Sequence, residues 1–458
     1  MQESQLDEYL RKRKTKQESK TELENDEYSF QTLCEKIKEA FFIDWKNTDS
    51  SGVTLEMQKR AIIGYIKEKE YFKTRIFEIL KDLDSLDAAF PVYYESLVDA
   101  IYHELWGLSV MAEWFGEKYI NSSSAKIVGE NIFFMVDGKM QLMPQKISKE
   151  RKEQLIKAIM LATPEERMDK AYYEMYMLDG TRVTVFTEPM AKKGQSSIVF
   201  RRYIVPSFSF EEQAKRGTIP SEIIPMLKFM VGVGYNVVFM GAVRTAKTTF
   251  LSTWQSYEDP SLEGVMVETD PEIPLHQIMP NAPTIQLIAD GGDLKAISKS
   301  LLRSDADYFV LAEARDGIAM DTALRIASKG TKRMKLTFHS RNPYQFPLEA
   351  AMEIVKSTGG DIDLTMKKLA SNFDYLFHFI QLKDKSQKRL KGIYEMSLDE
   401  DGEIAIIEIL SYDLLKDSWK IVNHISKDKE IYGIESDVGS FNLFKNEMER
   451  LEKIGTLN

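Results

Sequence analysis

From Tyr28 to about Phe115, apolar residues recur every three or four positions. Leu33, Ile37, Phe41 and Phe42 begin the series, followed by Ile62, Ile63, Ile66, Tyr71 and Ile76, then Leu97, Ile101, Leu105 and Leu108. That spacing predicts about three amphipathic helices. Beyond Ala125 the period shortens. β-rich runs flank Asp137-Gly138, and others flank Asp179-Gly180 inside Tyr172 to Thr187, so two hairpins are predicted. Arg151 to Leu161 returns to helical spacing, and Ser196 to Ile204 reads as a further strand. Pro206, Gly217, Pro220 and Pro225 then punctuate a stretch that reads as a linker.

After it, short apolar runs alternate with helical patterns. Strands are predicted at Asn236 to Met240, Gly264 to Glu268, Tyr308 to Ala312 and Met334 to Phe338. Helices are predicted at Lys247 to Tyr257, Leu294 to Arg303 and Met320 to Ala327. Such alternation argues for an α/β fold, a mostly parallel sheet covered by helices on both faces. Beyond about Asp413 the pattern predicts a short strand-like part and a charged helix, Asn442 to Lys453.

Composition narrows the class. The chain has 458 residues, with 43% hydrophobic and 29% charged, enough for packed cores in more than one domain. No uninterrupted apolar run reaches the roughly 18 residues of a membrane-spanning helix. The first 26 residues carry dense charge of both signs, unlike a secretory leader, so a cytoplasmic protein is expected. A single cysteine excludes a disulfide framework and a cysteine-ligated zinc site. Five histidines without ligand spacing give no metal centre, and a net charge of −10 is poor support for a nucleic-acid binder. The run Lys383-Asp-Lys-Ser-Gln-Lys-Arg-Leu-Lys, between two strand-like segments, reads as a solvated hairpin turn.

The chemically informative segment is Gly241-Ala-Val-Arg-Thr-Ala-Lys-Thr-Thr, which follows an apolar strand and opens a helix. A phosphate loop has Gly, four residues, then Gly, Lys and Ser or Thr. Its N–H groups wrap phosphates, its Lys reaches them, and its hydroxyl holds magnesium. Gly241, Lys247 and Thr248 keep that spacing, with Thr249 next to them, but Ala246 stands where the second Gly belongs. Downstream, an apolar strand ends in Glu313, the carboxylates Glu268 and Glu272 follow another, and His339 follows a third. Open α/β sheets bind ligands where such strand ends converge. Arg244 inside the loop either adds positive charge for the phosphates or points to solvent, and solvent is slightly favoured.

These residues, in this order, resemble the secretion-superfamily ATPases that power type II and type IV secretion, pilus assembly and conjugation. The tight-adherence pilus branch looks closest. The resemblance runs from about Leu108 to Asp413. It takes in Asp179-Gly-Thr-Arg-Val, Ile198-Val-Phe-Arg-Arg-Tyr, the loop, and Val267-Glu-Thr-Asp-Pro-Glu. It continues through Leu302-Arg303, Leu311-Ala-Glu-Ala-Arg and Thr337-Phe-His-Ser. It implies a RecA-like P-loop NTPase domain behind an N-terminal α+β domain and a helical lead-in. The expected layout is a charged arm (1–26), lead-in (27–107), α+β domain (108–205), linker (206–222), ATPase domain (223–413) and C-terminal tail (414–458).

The resemblance also implies ATP and Mg2+ as cofactors. Gly241, Arg244, Ala246, Lys247, Thr248 and Thr249 would bind nucleotide, with Arg182 and Arg201 reaching the phosphates from the N-terminal domain. Thr248 and Glu313 would hold Mg2+. Glu313, Glu268, Glu272 and His339 would be catalytic. A homo-hexamer, peripheral to the cytoplasmic membrane through a polytopic inner-membrane platform protein, is implied, with no direct nucleic-acid contact. Departures from the family pattern are Ala246 for Gly, Ala242-Val-Arg for a glycine-richer run, Thr269 for Asp beside Asp270, Ala312 for Gly, and Arg333 for Gly. Two readings follow: an ATP-hydrolysing motor, or a non-hydrolysing structural or regulatory subunit with a degenerate ATP site. Because the charged groups are retained, the loop is expected to have adapted around Ala246, so Ala246→Gly is expected to be neutral or harmful.

Overall fold

The computed structural model describes residues 30–44, 51–161, 171–202, 208–269, 272–289, 291–314 and 316–457, with backbone alone at 51–55 and 161. The charged arm 1–26, Pro206, Asp270 and Arg315 lie outside the described residues. The chain forms two compact units, Met1–Ile204 and Val205–Asn458.

In the first unit, helices α1 (30–44), α2 (Ser51–Ile63), α3 (Ile66–Asp82) and α4 (Leu97–Leu105) carry out the predicted helical pattern, with a short α5 at Ala112–Phe115. On α3, Phe72, Ile76, Ile79 and Leu80 fall on one face and are buried. Phe72 stacks on Trp106 at 5.2 Å, and Phe41 meets the same ring at 4.3 Å. Ser96 starts α4, its Oγ accepting from Asp99 N at 3.1 Å.

Six strands follow: β1 (Ser124–Val128), β2 (Asn131–Val136), β3 (Lys139–Lys146), β4 (Tyr172–Tyr176), β5 (Arg182–Phe186) and β6 (Ser197–Arg201). Helix α6 (Lys149–Leu161) lies between β3 and β4 in sequence. The sheet order is β3-β2-β1-β6-β5-β4, and every pair is antiparallel. The first hairpin turns at Asp137 and Gly138, with φ of 47° and 73°, as a two-residue turn with left-handed residues requires. Alternate residues, among them Ile132, Phe134, Val183, Val185, Ile198 and Phe200, are buried and share one core with Leu155, Ile156 and Ile159 of α6.

The second unit opens with α7 (Phe210–Lys215) and α8 (Ile224–Val233). Residues 208–222, read from their Pro and Gly as a linker, are packed instead. Phe210 and Ile219 are buried in the main core, and Ser209 caps α7. The remaining elements begin with β7 (Val237–Gly241), α9 (Lys247–Gln255), β8 (Gly264–Glu268), α10 (Leu275–Ile278), β9 (Thr284–Ile288) and α11 (Gly291–Leu301). Next come β10 (Tyr308–Leu311), α12 (Gly317–Ala327), β11 (Met334–Phe338), α13 (Phe346–Thr358), α14 (Ile362–Asn372) and β12 (Tyr375–Gln381). The last are β13 (Lys388–Leu398), β14 (Ile404–Asp413), β15 (Ser418–Ile421), α15 (Lys427–Ile454) and β16 (Thr456–Leu457).

One ten-stranded sheet holds them in the order β16-β15-β14-β13-β12-β7-β11-β10-β8-β9. The six strands from β12 to β9 are parallel. The rest are antiparallel. Leaving out the edge strand β9, the parallel strands read 5-1-4-3-2 in order of appearance, with the loop after strand 1: the expected RecA-like core. Strands β7, β8, β10 and β11 are buried along their whole length, which is why they read as unbroken apolar runs. Phe250 and Trp254 of α9 and Phe444 of α15 cover one face. Met320 of α12, Ile354 of α13 and Leu369 of α14 cover the other. The tail is part of this sheet and core; α15 is broken by non-helical backbone at Asp437 (φ −157°, ψ 95°), so one helical stretch begins at Lys427 and a second, running to Ile454, begins just ahead of the predicted Asn442. Among the described residues no helix is long and apolar enough to cross a membrane.

Candidate functional site

The ends of β7, β8, β10 and β11 bring the predicted residues to one edge of the sheet. At the end of β7, Gly241 has φ of +146°, and a Cβ there would meet the Phe379 carbonyl and Thr245 Oγ1. Only glycine fits both demands. Thr245 Oγ1 donates to the Ala242 carbonyl at 2.9 Å and closes the loop on itself. Arg244 and Ala246 follow with φ of 66° and 71°, both left-handed, and α9 begins at Lys247. The loop thus takes up the conformation a second glycine would serve, but does so with a methyl group.

The left-handed backbone at Ala246 adds an expectation about stability, separate from the one about nucleotide binding. A left-handed L-residue costs about 1–2 kcal/mol, whereas glycine's extra freedom when unfolded costs about 0.4–1 kcal/mol. Ala246→Gly should therefore stabilise the nucleotide-free protein by about 1 kcal/mol in denaturant unfolding. Lower stability of the variant would show the loop to be relaxed around alanine.

Lys247 is buried, and its ammonium bends over the loop. Nζ donates to the carbonyls of Gly241 at 3.1 Å and Ala242 at 2.9 Å, and lies 3.4 Å from His339 Nδ1. His339 Nε2 in turn lies 3.2 Å from Glu313 Oε1. These two contacts assign His339 the Nε2–H tautomer, accepting from Lys247 and donating to Glu313. Ammonium, imidazole and carboxylate form one chain from the phosphate loop to the end of β10. Thr337 Oγ1 donates to the Ala312 carbonyl and fixes β11 to the residue before Glu313. Ala312 is buried there.

Glu268, at the end of β8, is buried, and its Oε1 accepts from the N–H groups of Glu272 and Ile273 at 3.0 and 2.9 Å. It therefore folds the acidic loop back on its strand. Glu272, carried by that loop, and Glu313 both act electrostatically on Lys247. Thr248 is half-buried in the first turn of α9 and Thr249 is buried beside it. Of the departures, Thr269 is half-buried and Asp270 lies outside the described residues. Arg333 stands at the other end of β11 from His339, bonded to Glu258 and to the carbonyls of Val231 and Gly232. It does not bear on the loop.

Arg182 and Arg201 lie in the first unit, directly opposite each other on β5 and β6. Like charges in facing positions repel. Glu174 Oε1 accepts from Arg182 at 2.7 Å and offsets part of this.

The phosphate donor set fits an anion. The first N–H groups of α9 have no intrahelical acceptor, and Lys247 adds a cation beside them. The Thr248 hydroxyl and Glu313 carboxylate are hard oxygen donors of the kind Mg2+ takes.

Sequence reasoning missed Gln381 and Lys388. The basic run does form the β12–β13 hairpin, but Lys388 is half-buried rather than solvated. The only signal was the run itself; nothing local indicated that it would meet the loop.

Burial pushes the Lys247 ammonium down to about 8, against the pull of Glu313 and then Glu272, and that of Lys388 is also pushed down to about 8. An anion at the loop needs Lys247 charged. ATP affinity should therefore fall roughly tenfold between pH 7.5 and 9, where an ordinary lysine, titrating near pH 10.4, stays protonated. In a fluorescence titration Lys247→Arg should remove that fall. A flat wild-type profile would show that Lys247 stays charged.

No protein-family model matches the chain, and no curated protein sequence does. Solved structures align with the chain at low identity. The VirB11 ATPase of the Brucella suis type IV secretion system, in complex with sulphate, is 15% identical with a TM-score of 0.34, over 62% of this chain and 92% of that one. The Legionella pneumophila ATPase DotB is 16% identical with a TM-score of 0.42, over 76% and 88%. The pilus retraction motor PilT with bound ADP is 14% identical with a TM-score of 0.43, over 74% and 91%. These three solved structures are described as a type IV secretion ATPase, an ATPase and a pilus retraction motor.

Proposed function

We propose that this protein is an ATP-hydrolysing motor subunit of a type II or type IV secretion, pilus or conjugation machine. The observation that carries the hydrolytic part is the contiguous Lys247–His339–Glu313 chain beside a phosphate loop. The motif resemblance, nearest to the tight-adherence branch, carries the assignment to such a machine. Lys247 and the loop N–H groups would hold the β- and γ-phosphates, while Thr248 and Glu313 would hold Mg2+, which would neutralise charge on the phosphates. Water attacks the γ-phosphorus, the bond to the β–γ bridging oxygen breaks, and Glu313 takes the water's proton. His339 orients the carboxylate, and Glu268 shapes the loop that carries Glu272.

Arg182 and Arg201 add guanidinium charge to the phosphates. The working form is a homo-hexameric ring in the cytoplasm, peripheral to the membrane through a polytopic platform protein.

The test is thermal melting with and without millimolar Mg-ATP, together with mass measurement. A ligand that selects the native state raises the midpoint by mass action. Wild type should shift upward and assemble, and Arg182→Ala with Arg201→Ala should shift less. No shift and an unchanged single-subunit mass would overturn the proposal.

A further inference from the structure

Arg202, the second arginine of the Ile198-Val-Phe-Arg-Arg-Tyr run, directly follows the last residue of β6. Along that strand Ile198 and Phe200 are buried in the core, and Arg201, on the opposite face, is exposed. Arg202 continues the buried series. Its Nε donates to the Ser122 carbonyl at 3.0 Å, and its Nη2 donates to the carbonyls of Trp114, at 3.0 Å, and of Tyr119. The guanidinium lies 4.0 Å from the ring centroid of Trp114, which is buried and donates from Nε1 to Ser122 Oγ at 2.7 Å. The Arg202 backbone N–H donates to the Ser123 carbonyl at 3.1 Å, one step past the Ser124–Arg201 pair of β1 and β6.

This grip sits where the sheet has reason to open. The end pair of β5 and β6 sets Arg182 opposite Arg201, and like charges so placed repel. At a strand end repulsion favours fraying, and a slip of one residue would turn Arg201 to the core face. A guanidinium fork held by three carbonyls and one aromatic face opposes both. The start of β5 is tied in the same unit: Leu178 N donates to the Ile63 carbonyl at 3.0 Å, and Thr181 N to Asp179 Oδ1 at 2.9 Å, just ahead of Arg182.

We propose that Arg202 is a positioning residue: by gripping the carbonyls of Trp114, Tyr119 and Ser122 it fixes the end of β6, so that Arg201 stands beside Arg182 on the face away from the core, available to phosphate. The inference rests on the reading above in which Arg201 adds charge to the phosphates. It also gives the segment from α5 to β1 a use, as the buttress against which the arginine-bearing strand end is held.

The test is a double-mutant cycle on steady-state Mg-ATP turnover by the full-length chain, with thermal melting in parallel. Arg201→Ala should lower kcat at least about tenfold, since guanidinium charge acts on the transferring phosphoryl group. Arg202→Gln should give a loss of similar size, with KM changed less than kcat. Together they should lose no more than about twofold beyond Arg201→Ala alone, because a residue that acts through another then has nothing left to act on. If Arg202→Gln does not melt cooperatively, Arg202→Lys takes its place in the cycle, keeping the charge and giving up the fork. Losses that multiply in the double variant, or an Arg202 variant with wild-type kcat, would overturn the positioning role alone. Arg201→Ala turning over like wild type would remove the role of Arg201 and this inference with it. Wild type no faster than Glu313→Gln would overturn the motor reading and everything that rests on it.

Discussion

Glu313→Gln should lower Mg-ATP turnover at least about a hundredfold, the usual contribution of a positioned general base. Nucleotide affinity should change no more than a few-fold. The amide keeps the size of the carboxylate and can still accept from His339 Nε2 with its oxygen, so the site's geometry survives. What it loses is the ability to take the proton of the attacking water. His339→Ala should give a smaller loss, since the imidazole orients Glu313 and stands between it and Lys247. The measurement is steady-state phosphate release at saturating Mg-ATP with a parallel binding titration. Equal, background-level rates for wild type and Glu313→Gln would favour the non-hydrolysing subunit over the motor.

The second large effect is on stability and lies at the other end of the strands. Lys335 on β11 is fully buried, and its Nζ reaches Glu258 Oε1 at 2.6 Å and Gln255 Oε1 at 2.8 Å, over the Tyr308 ring. Glu258 Oε2 accepts from Arg333 at 2.6 Å. Burial pushes the Lys335 ammonium down and Glu258 opposes that. Removing Glu258 leaves Lys335 with only the Gln255 amide and Arg333 with two backbone carbonyls, and takes from both their counter-charge. Glu258→Ala should therefore destabilise the protein by about 3–5 kcal/mol, as breaking a buried ion pair does. Lys335→Met should lose much less, because it withdraws the buried charge and leaves Glu258 paired with Arg333. Denaturant unfolding of both variants decides the matter; equal losses would mean that packing around Lys335 dominates over its charge.

Much of the fold was readable because its signals are local. Asp137-Gly138 needs only two residues of positive φ to turn a hairpin. The apolar runs at β7, β8, β10 and β11 announce strands covered on both faces. Gly241, Lys247 and Thr248 mark the strand–loop–helix junction, and Glu313 and His339 mark two further strand ends. The antiparallel strands β13 to β16 were less legible as part of the same sheet, since their partners are set by pairing and not by pattern. Residues 208–222 looked like a linker because Pro and Gly also punctuate packed turns. Only the core shows that Phe210 and Ile219 are inside.

The sequence by itself determined the secondary-structure alternation, the position of the phosphate loop and the identity of the charged groups at the strand ends. These depend on spacing along the chain, where period and residue type carry the information. The tertiary structure alone decided what those groups do to one another. It placed His339 between Lys247 and Glu313, spent one oxygen of Glu268 on its own loop, and set Arg201 opposite Arg182. It put Ala246 into left-handed backbone, moved Arg333 away from the site to Glu258, and carried Gln381 to the Arg244 carbonyl. Electrostatics and burial act through space, and parallel pairing places strand ends side by side that are dozens of residues apart along the chain.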